Sequence, residues 1–248
     1  MAKFDEWAQR KLLELAEIDG KITKAQYRVA NLPQLPLLAT AQNVATRLRQ
    51  DEIALITYIA DLELDIAKVE EDVEVVRLRS AKDQELLNSG AISDSKQLSE
   101  LQHEVTSLGR RQAELEDAEI EVMQKQENYN LQLAEVRKQM TDQTVVVAEL
   151  EAEIATQQND INSELEMLQT LRADVVSALP AELTGLYEKI RTDNDGVGAA
   201  LLQQQKCLGC GMQLAPNAIQ HARTAASDEL IRCEECRAIL VRTEESGL

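Results

Sequence analysis

No proline interrupts the sequence between Pro36 and Pro180, and Gly90 and Gly109 are the sole glycines in that interval. Proline removes a helix hydrogen bond and clashes with the preceding turn, and glycine loses the most backbone entropy on ordering. So long a stretch with almost neither, rich in Ala, Leu, Glu, Gln and Val, predicts extended helices packed side by side. The apolar spacing agrees. Leu55, Ile59, Leu62, Ile66, Val69, Val73 and Val76 alternate steps of four and three, the interval that keeps one seam turned to a partner helix. The rhythm reaches Leu87 but fades at Ser80 and Asp83. A second seam begins at Leu98 and runs through Leu101, Val105, Leu108, Leu115, Val122, Tyr129, Leu133, Val136, Met140, Val147, Leu150, Ile154 and Ile161. Gln112, Glu119, Gln126, Gln143 and Gln157 share that seam, and polar residues there trade stability for register.

Between the seams stands "NSGAISD". Gly90 suits a left-handed helix end, and Ser93 or Asp94 suits the next N-cap. About fifty residues before this turn would fold back on about fifty after it, an antiparallel hairpin roughly 75 Å long. Leu86, Leu87 and Ile92 would close the turn. An earlier helix is expected over residues 3–30, with Leu12, Leu13, Leu15, Ile18 and Ile22 on its apolar stripe. The double-proline "NLPQLP" breaks it. The stretch up to Leu179 is then free to pair with this first helix, and Phe4 and Trp7 are expected to anchor its start. After Pro180, "AELTGLYEKIR" reads as a short helix and "TDNDGVGAA" as a flexible connector. The predicted division is a coiled-coil helical hairpin over 1–180, short helix and connector over 181–200, and a small β zinc ribbon over 201–248, in a mainly α chain.

The formal charge is −18, from 44 acidic against 26 basic residues. Such a field repels nucleic acid and anionic membrane at long range. The N-terminal segment has charges spread through it, so no secretory signal is expected, and no stretch reaches the length of a membrane span. The compartment expected is a reducing cytoplasm, where clustered cysteines more often bind metal than form disulfides.

All four cysteines lie in two knuckles, Cys207 with Cys210 and Cys233 with Cys236, twenty-two residues apart. Two C-x-x-C pairs at such a separation suit a tetrahedral zinc ion held by four thiolates. Disulfides or a redox pair are the rival readings. His221 could substitute as a ligand, but it is set aside as a solvated loop residue. The intervening "MQLAPNAIQHARTAASDEL" is long enough for a strand, a turn and a return strand. So short a tail has little core, so metal is expected to contribute much of its folding free energy. Four cysteines would leave no position for water, and no phosphate loop, nucleophile elbow or H-E-x-x-H appears. Hence no enzyme is expected. Arg223, Arg232 and Arg237 could line a nucleic-acid-binding face if folded together. Yet no aromatic residue from Lys206 onward is available to stack bases, and a protein partner is the better reading.

Five phrases carry a family resemblance: "SGAISDSKQLSELQHEVTSL", "RRQAELEDAEIEVMQ", "LYEKIR", "CLGCGMQL" and "IRCEECRAIL". With them the chain resembles bacterial proteins that combine a coiled-coil hairpin with a C-terminal C4-type zinc ribbon, a family that carries a nucleic-acid-binding label. The resemblance implies a non-enzymatic cytoplasmic adaptor holding one structural Zn2+ on Cys207, Cys210, Cys233 and Cys236. It also implies partners in transcription, through the alternative sigma factor sigma-54, in flagellar assembly, or among RNAs. The family ribbon usually ends C-x-x-C-G-R-I-L; here Arg237 stands at the glycine position and Ala238 at the arginine position.

Overall fold

The computed structural model describes residues 3–248. In chain order its elements are α1 (Glu6–Ala30), α2 (Gln34–Asn88), α3 (Ser95–Ala178), α4 (Ala181–Asp193), β1 (Ala199–Gln203), β2 (Lys206–Cys207), α5 (Pro216–Thr224), β3 (Ile231–Arg232) and β4 (Ile239–Val241), with a 3₁₀ turn at Glu244–Ser246. The chain divides into two compact units, Pro36–Glu151 and the remainder, residues up to Leu35 with Ala152–Leu248.

The Pro36–Glu151 unit is the helical hairpin. Pro36 does not break a helix; it falls in the first turn of α2, where its missing N–H has no intrahelical acceptor to satisfy. The break is confined to residues 31–33. At the turn Gly90 has φ +68°, and the Asp94 carboxylate caps α3 by accepting from the Lys96 N–H at 3.1 Å. Seam residues of both helices are buried or half-buried as the spacing requires. Leu55, Ile59 and Leu133 form a buried cluster with Tyr129 and Val136 against it, and Tyr58 stacks on Tyr129 at 5.6 Å between centroids. Polar contacts set the register: the Gln143 amide donates to the Ala41 carbonyl at 3.0 Å, and Arg137 pairs with Glu52 at 2.8 Å. Leu87 and Ile92 are half-buried at the turn, but Leu86 is exposed.

In the other unit α1 starts at Glu6, not at residue 3, because the Asp5 side chain caps it by accepting from the Ala8 N–H at 2.7 Å. Its stripe of Leu12, Leu15, Ile18 and Ile22 packs on Leu168, Val175 and Leu179 and on Leu183, Tyr187 and Ile190 of α4. Phe4 is buried in this core; Trp7, expected beside it, stays 53 % exposed. One acid is sunk among these apolar side chains. Asp19, whose side chain has no exposure, meets Arg172 Nε at 2.6 Å and the Tyr187 hydroxyl at 2.7 Å. Arg191 Nε lies 3.1 Å away but off the line a hydrogen bond needs, so it contributes charge alone. Both arginines also pair with Glu188. Burial pushes the Tyr187 phenol well above its ordinary range, and its bond to Asp19 adds to the shift.

The strands form one sheet in the order β2-β1-β4-β3, with β1 and β4 parallel and the outer pairs antiparallel. Alternation along the strands divides its side chains between two cores. Ala199 and Ile239 join the helical core, whereas Ala200, Leu202, Leu240 and Ile231 join a second core with Leu214, Ala218 and Ala222. Two expectations are thereby corrected. Ala199 and Ala200, read as the end of a connector, are buried strand residues, so the tail shares a core with the helices. The segment between the knuckles holds helix α5 rather than a strand and return strand: Pro216 opens it at N1, and Ala, Gln and Arg favour continuation. Arg242 ties α5 down by donating to the carbonyls of Ala222, Ala225, Ala226 and Glu229.

Candidate zinc centre

The two knuckles are built alike. In the first, the Gly211 N–H donates to the Cys207 carbonyl at 2.8 Å; in the second, the Arg237 N–H donates to the Cys233 carbonyl at 3.0 Å. Both closing residues are left-handed, Gly211 at φ +74° and Arg237 at φ +61°. The residue that closes the second knuckle is thus left-handed like Gly211, although it is arginine. These turns set backbone amides near sulfur, where they favour the thiolates: Gly209 and Cys210 act on Cys207, Met212 on Cys210 and Ala238 on Cys236.

The folded backbone brings all four sulfurs within 4.8 Å of one another. Cys207 and Cys236 Sγ are 3.7 Å apart, and Cys210 and Cys233 Sγ 3.8 Å. A tetrahedron with Zn–S bonds of about 2.3 Å has edges of about 3.8 Å, so the cage fits zinc. A disulfide needs about 2.05 Å; this arrangement contains none, and all four are free. Burial pushes the Cys207 thiol up, and the Cys236 thiol likewise. Cys210 is the opposite case: its slight burial raises it, but the Met212 N–H and the neighbouring thiols outweigh that and leave it lowered. A four-sulfur shell leaves no open position for substrate or activated water. His221, on α5, is not among the clustered residues.

Two of the three arginines proposed for nucleic acid share one hollow. Arg232 and Arg237 line a hollow with Lys189, Leu186, Ile190, Asp193, Asn194 and Cys236, while Arg223 lies on α5 outside it. The sequence reading missed Lys189, which reaches the hollow from α4. Its signal was available only in retrospect: Leu186 and Lys189 are three residues apart on α4, one helical face.

Two known domains match the chain. Residues 15–195 match the CT398-like coiled coil hairpin domain, and residues 206–240 match the C4-type zinc ribbon domain. An uncharacterized protein of Mycobacterium tuberculosis is 36 % identical over 243 residues, 95 % of this chain and 96 % of that one. A solved structure from Mycobacterium smegmatis is similar with a TM-score of 0.86 at 30 % identity, covering 97 % of this chain and 100 % of the other. The structure of CT398 from Chlamydia trachomatis shares the fold, with a TM-score of 0.72 at 21 % identity over 94 % of this chain and 96 % of its own. The ribbon match and the clustered sulfurs support one structural zinc. Neither matched domain is a catalytic one, and no helix among the described residues is long and apolar enough to cross a membrane.

Proposed function

Since the chain belongs to the family of CT398-like coiled coil hairpin proteins and ends in a C4-type zinc ribbon, we propose that it is a non-enzymatic cytoplasmic adaptor binding protein partners in transcription or RNA metabolism. Cys207, Cys210, Cys233 and Cys236 hold the zinc as its four ligands. The observation that carries the reading is the seating of the ribbon. Its sheet shares a core with α1, α3 and α4, and residues at the start of α1 and just before it grip the ribbon: the Phe4 N–H donates to the Asp228 carbonyl at 2.8 Å, and the Gln9 amide to the Ser227 carbonyl at 2.9 Å. A closed metal site on a fixed mount presents a surface; it performs no chemistry. Capture from cell lysate with the intact chain and with a ribbon-deleted chain tests this, and identical partner sets would defeat a role for the ribbon.

A second reading, direct RNA or DNA binding through the ribbon, has Arg232, Arg237 and Lys189 in its favour. Against it, Arg223 does not line that hollow, and Arg242 is committed to backbone carbonyls. Titration of labelled RNA and DNA at two salt concentrations decides it, because phosphate contacts strengthen as salt falls. No binding at low salt would end that reading.

A further inference from the structure

Several residues in the ribbon-bearing unit defy their local backbone preference: Gly20 and Gly185 lie inside helices, and Asp195, Gln204, Gln205 and Arg237 are left-handed without being glycine. Of these, Gly185 and Arg237 line two adjoining hollows. Gly185 sits inside α4, where glycine is disfavoured relative to alanine. Nothing within the chain demands it, since an added Cβ would meet no atom within 4 Å. Gly20 and Gly109 are equally uncrowded, so glycine alone decides nothing; its location does. Gly185 lines a hollow of about 730 Å³ together with apolar Phe4, Leu186 and Ile231 and basic Lys189 and Arg232. That hollow shares Leu186, Lys189 and Arg232 with the one that Arg237 lines. Arg237 is the second of this pair: an arginine held left-handed at φ +61°, where glycine would sit without strain.

The charges say what fits. Lys189, Arg232 and Arg237 make no ion pair among the described residues. Glu188, which follows Leu186 and Tyr187 on α4, is already engaged by Arg172 and Arg191. Carboxylates bound the groove as well: Glu182 in the first hollow and Asp193 in the second. The second knuckle adds exposed Glu234 and Glu235, and four thiolates on zinc are net negative. A polyanionic strand would meet these charges along its path. A short peptide with one or two carboxylates can set them against Lys189, Arg232 and Arg237 without running the length of the acidic border.

We propose that this groove, walled by α4 and the ribbon, takes a peptide segment of a protein partner in which a bulky apolar side chain lies beside an acidic one. The apolar side chain packs on Leu186 and Ile231 against the bare backbone at Gly185. The carboxylate pairs with Lys189, Arg232 and Arg237. This assignment rests on the adaptor reading and gives that reading a site. It also gives a role to the glycine at 185 and to the choice of arginine at 237, neither of which is required by a contact within the chain.

The test restores each local preference. Gly185→Ala returns a helix former to α4, and Arg237→Gly relieves the left-handed arginine, so each variant should unfold at a temperature equal to or above that of the parent. A random peptide display library is panned on the intact zinc-loaded chain, and enriched peptides are labelled and titrated by fluorescence anisotropy. Expected are peptides joining an apolar residue to Asp or Glu, each bound about tenfold or more weakly by both variants. The proposal is overturned if no such class is enriched, if the variants bind as the parent does, or if they are less stable than the parent. It is equally overturned if a labelled single-stranded RNA, and not a peptide, loses affinity in these variants. Should the full-length Gly185→Ala and Arg237→Gly variants capture the same lysate partners as the parent, the groove fails and the adaptor reading stands.

Discussion

The hairpin of Pro36–Glu151 and the ribbon-bearing unit are stabilised by different kinds of contact. In the hairpin one seam repeats, most of its side chains are half-buried, and the few buried ones differ little from their neighbours. In the other unit Leu12, Leu15, Leu183, Tyr187, Leu202, Ile239 and Leu240 are fully buried, a carboxylate is sunk among them, and four sulfurs converge. Repetition spreads the free energy over many equivalent contacts. Convergence concentrates it in a few that have no substitute. Single lesions should therefore be mild in the hairpin and severe in the ribbon-bearing unit.

Zinc removal is the largest expected lesion. In small zinc domains the metal contributes on the order of 10 kcal/mol of folding free energy. Chelation, or Cys233→Ser, should release the knuckles, α5 and β3, while β1 and β4 keep more protection because Ala199 and Ile239 are held by the helical core. Hydrogen exchange resolves these segments. A ribbon equally protected with and without metal would remove the convergent element, and loss of α2 and α3 helicity on chelation would erase the contrast between the units. Acid should act in the same direction. Burial raises the Cys207 and Cys236 thiols, so they hold protons more firmly than free cysteine. Zinc must displace those protons, and release measured with a zinc-sensitive dye should grow as pH falls.

Asp19→Ala comes next. It leaves Arg172 and Arg191 partly buried without the carboxylate at their centre, and breaking such a group from one side costs about 3–5 kcal/mol. A drop in unfolding temperature as small as that of a surface substitution would show the network to be dispensable. Gly198→Ala is milder, about 1–3 kcal/mol for overpacking. Its new Cβ would fall 2.5 Å from the Tyr187 ring, forcing aside the residue that hydrogen-bonds Asp19. Near-ultraviolet circular dichroism, which senses the packing of such a ring, should change with it.

The same contrast governs what the sequence discloses. Seam, turn and cap were legible because each is local: a period of four and three, a glycine at 90, an aspartate at 94. The zinc cage was legible because spacing alone brings each pair of sulfurs together. Asp19 was overlooked although its place gave a signal, since it falls in step with Leu12, Leu15 and Ile22 on the apolar stripe, where an acid needs a buried partner. Its partners come from α3 and α4, far along the chain, and no local pattern names them. Helix α5 was missed because the length of the segment was weighed before Pro216 and the helix formers after it. The sharing of the sheet between two cores depends on β1 pairing in parallel with β4, a long-range choice that residues 199–203 do not reveal.

Gln143→Leu tests the hairpin at its polar seam and should have the smallest effect. The substitution removes the hydrogen bond to the Ala41 carbonyl, worth about 1 kcal/mol net. That carbonyl keeps its own helical acceptor role, so no orphan is created. Leucine gains at most about 1.5–3 kcal/mol on full burial, and at a half-buried position it gains only part of that. The two terms nearly cancel, leaving the urea midpoint of the chain within about 1 kcal/mol of the parent, on the stabilised side. What is lost is register discrimination, since a seam of leucines pairs as well one heptad displaced. A loss above about 2 kcal/mol would mean that Gln143 is as irreplaceable as Asp19, and that the hairpin too depends on singular contacts.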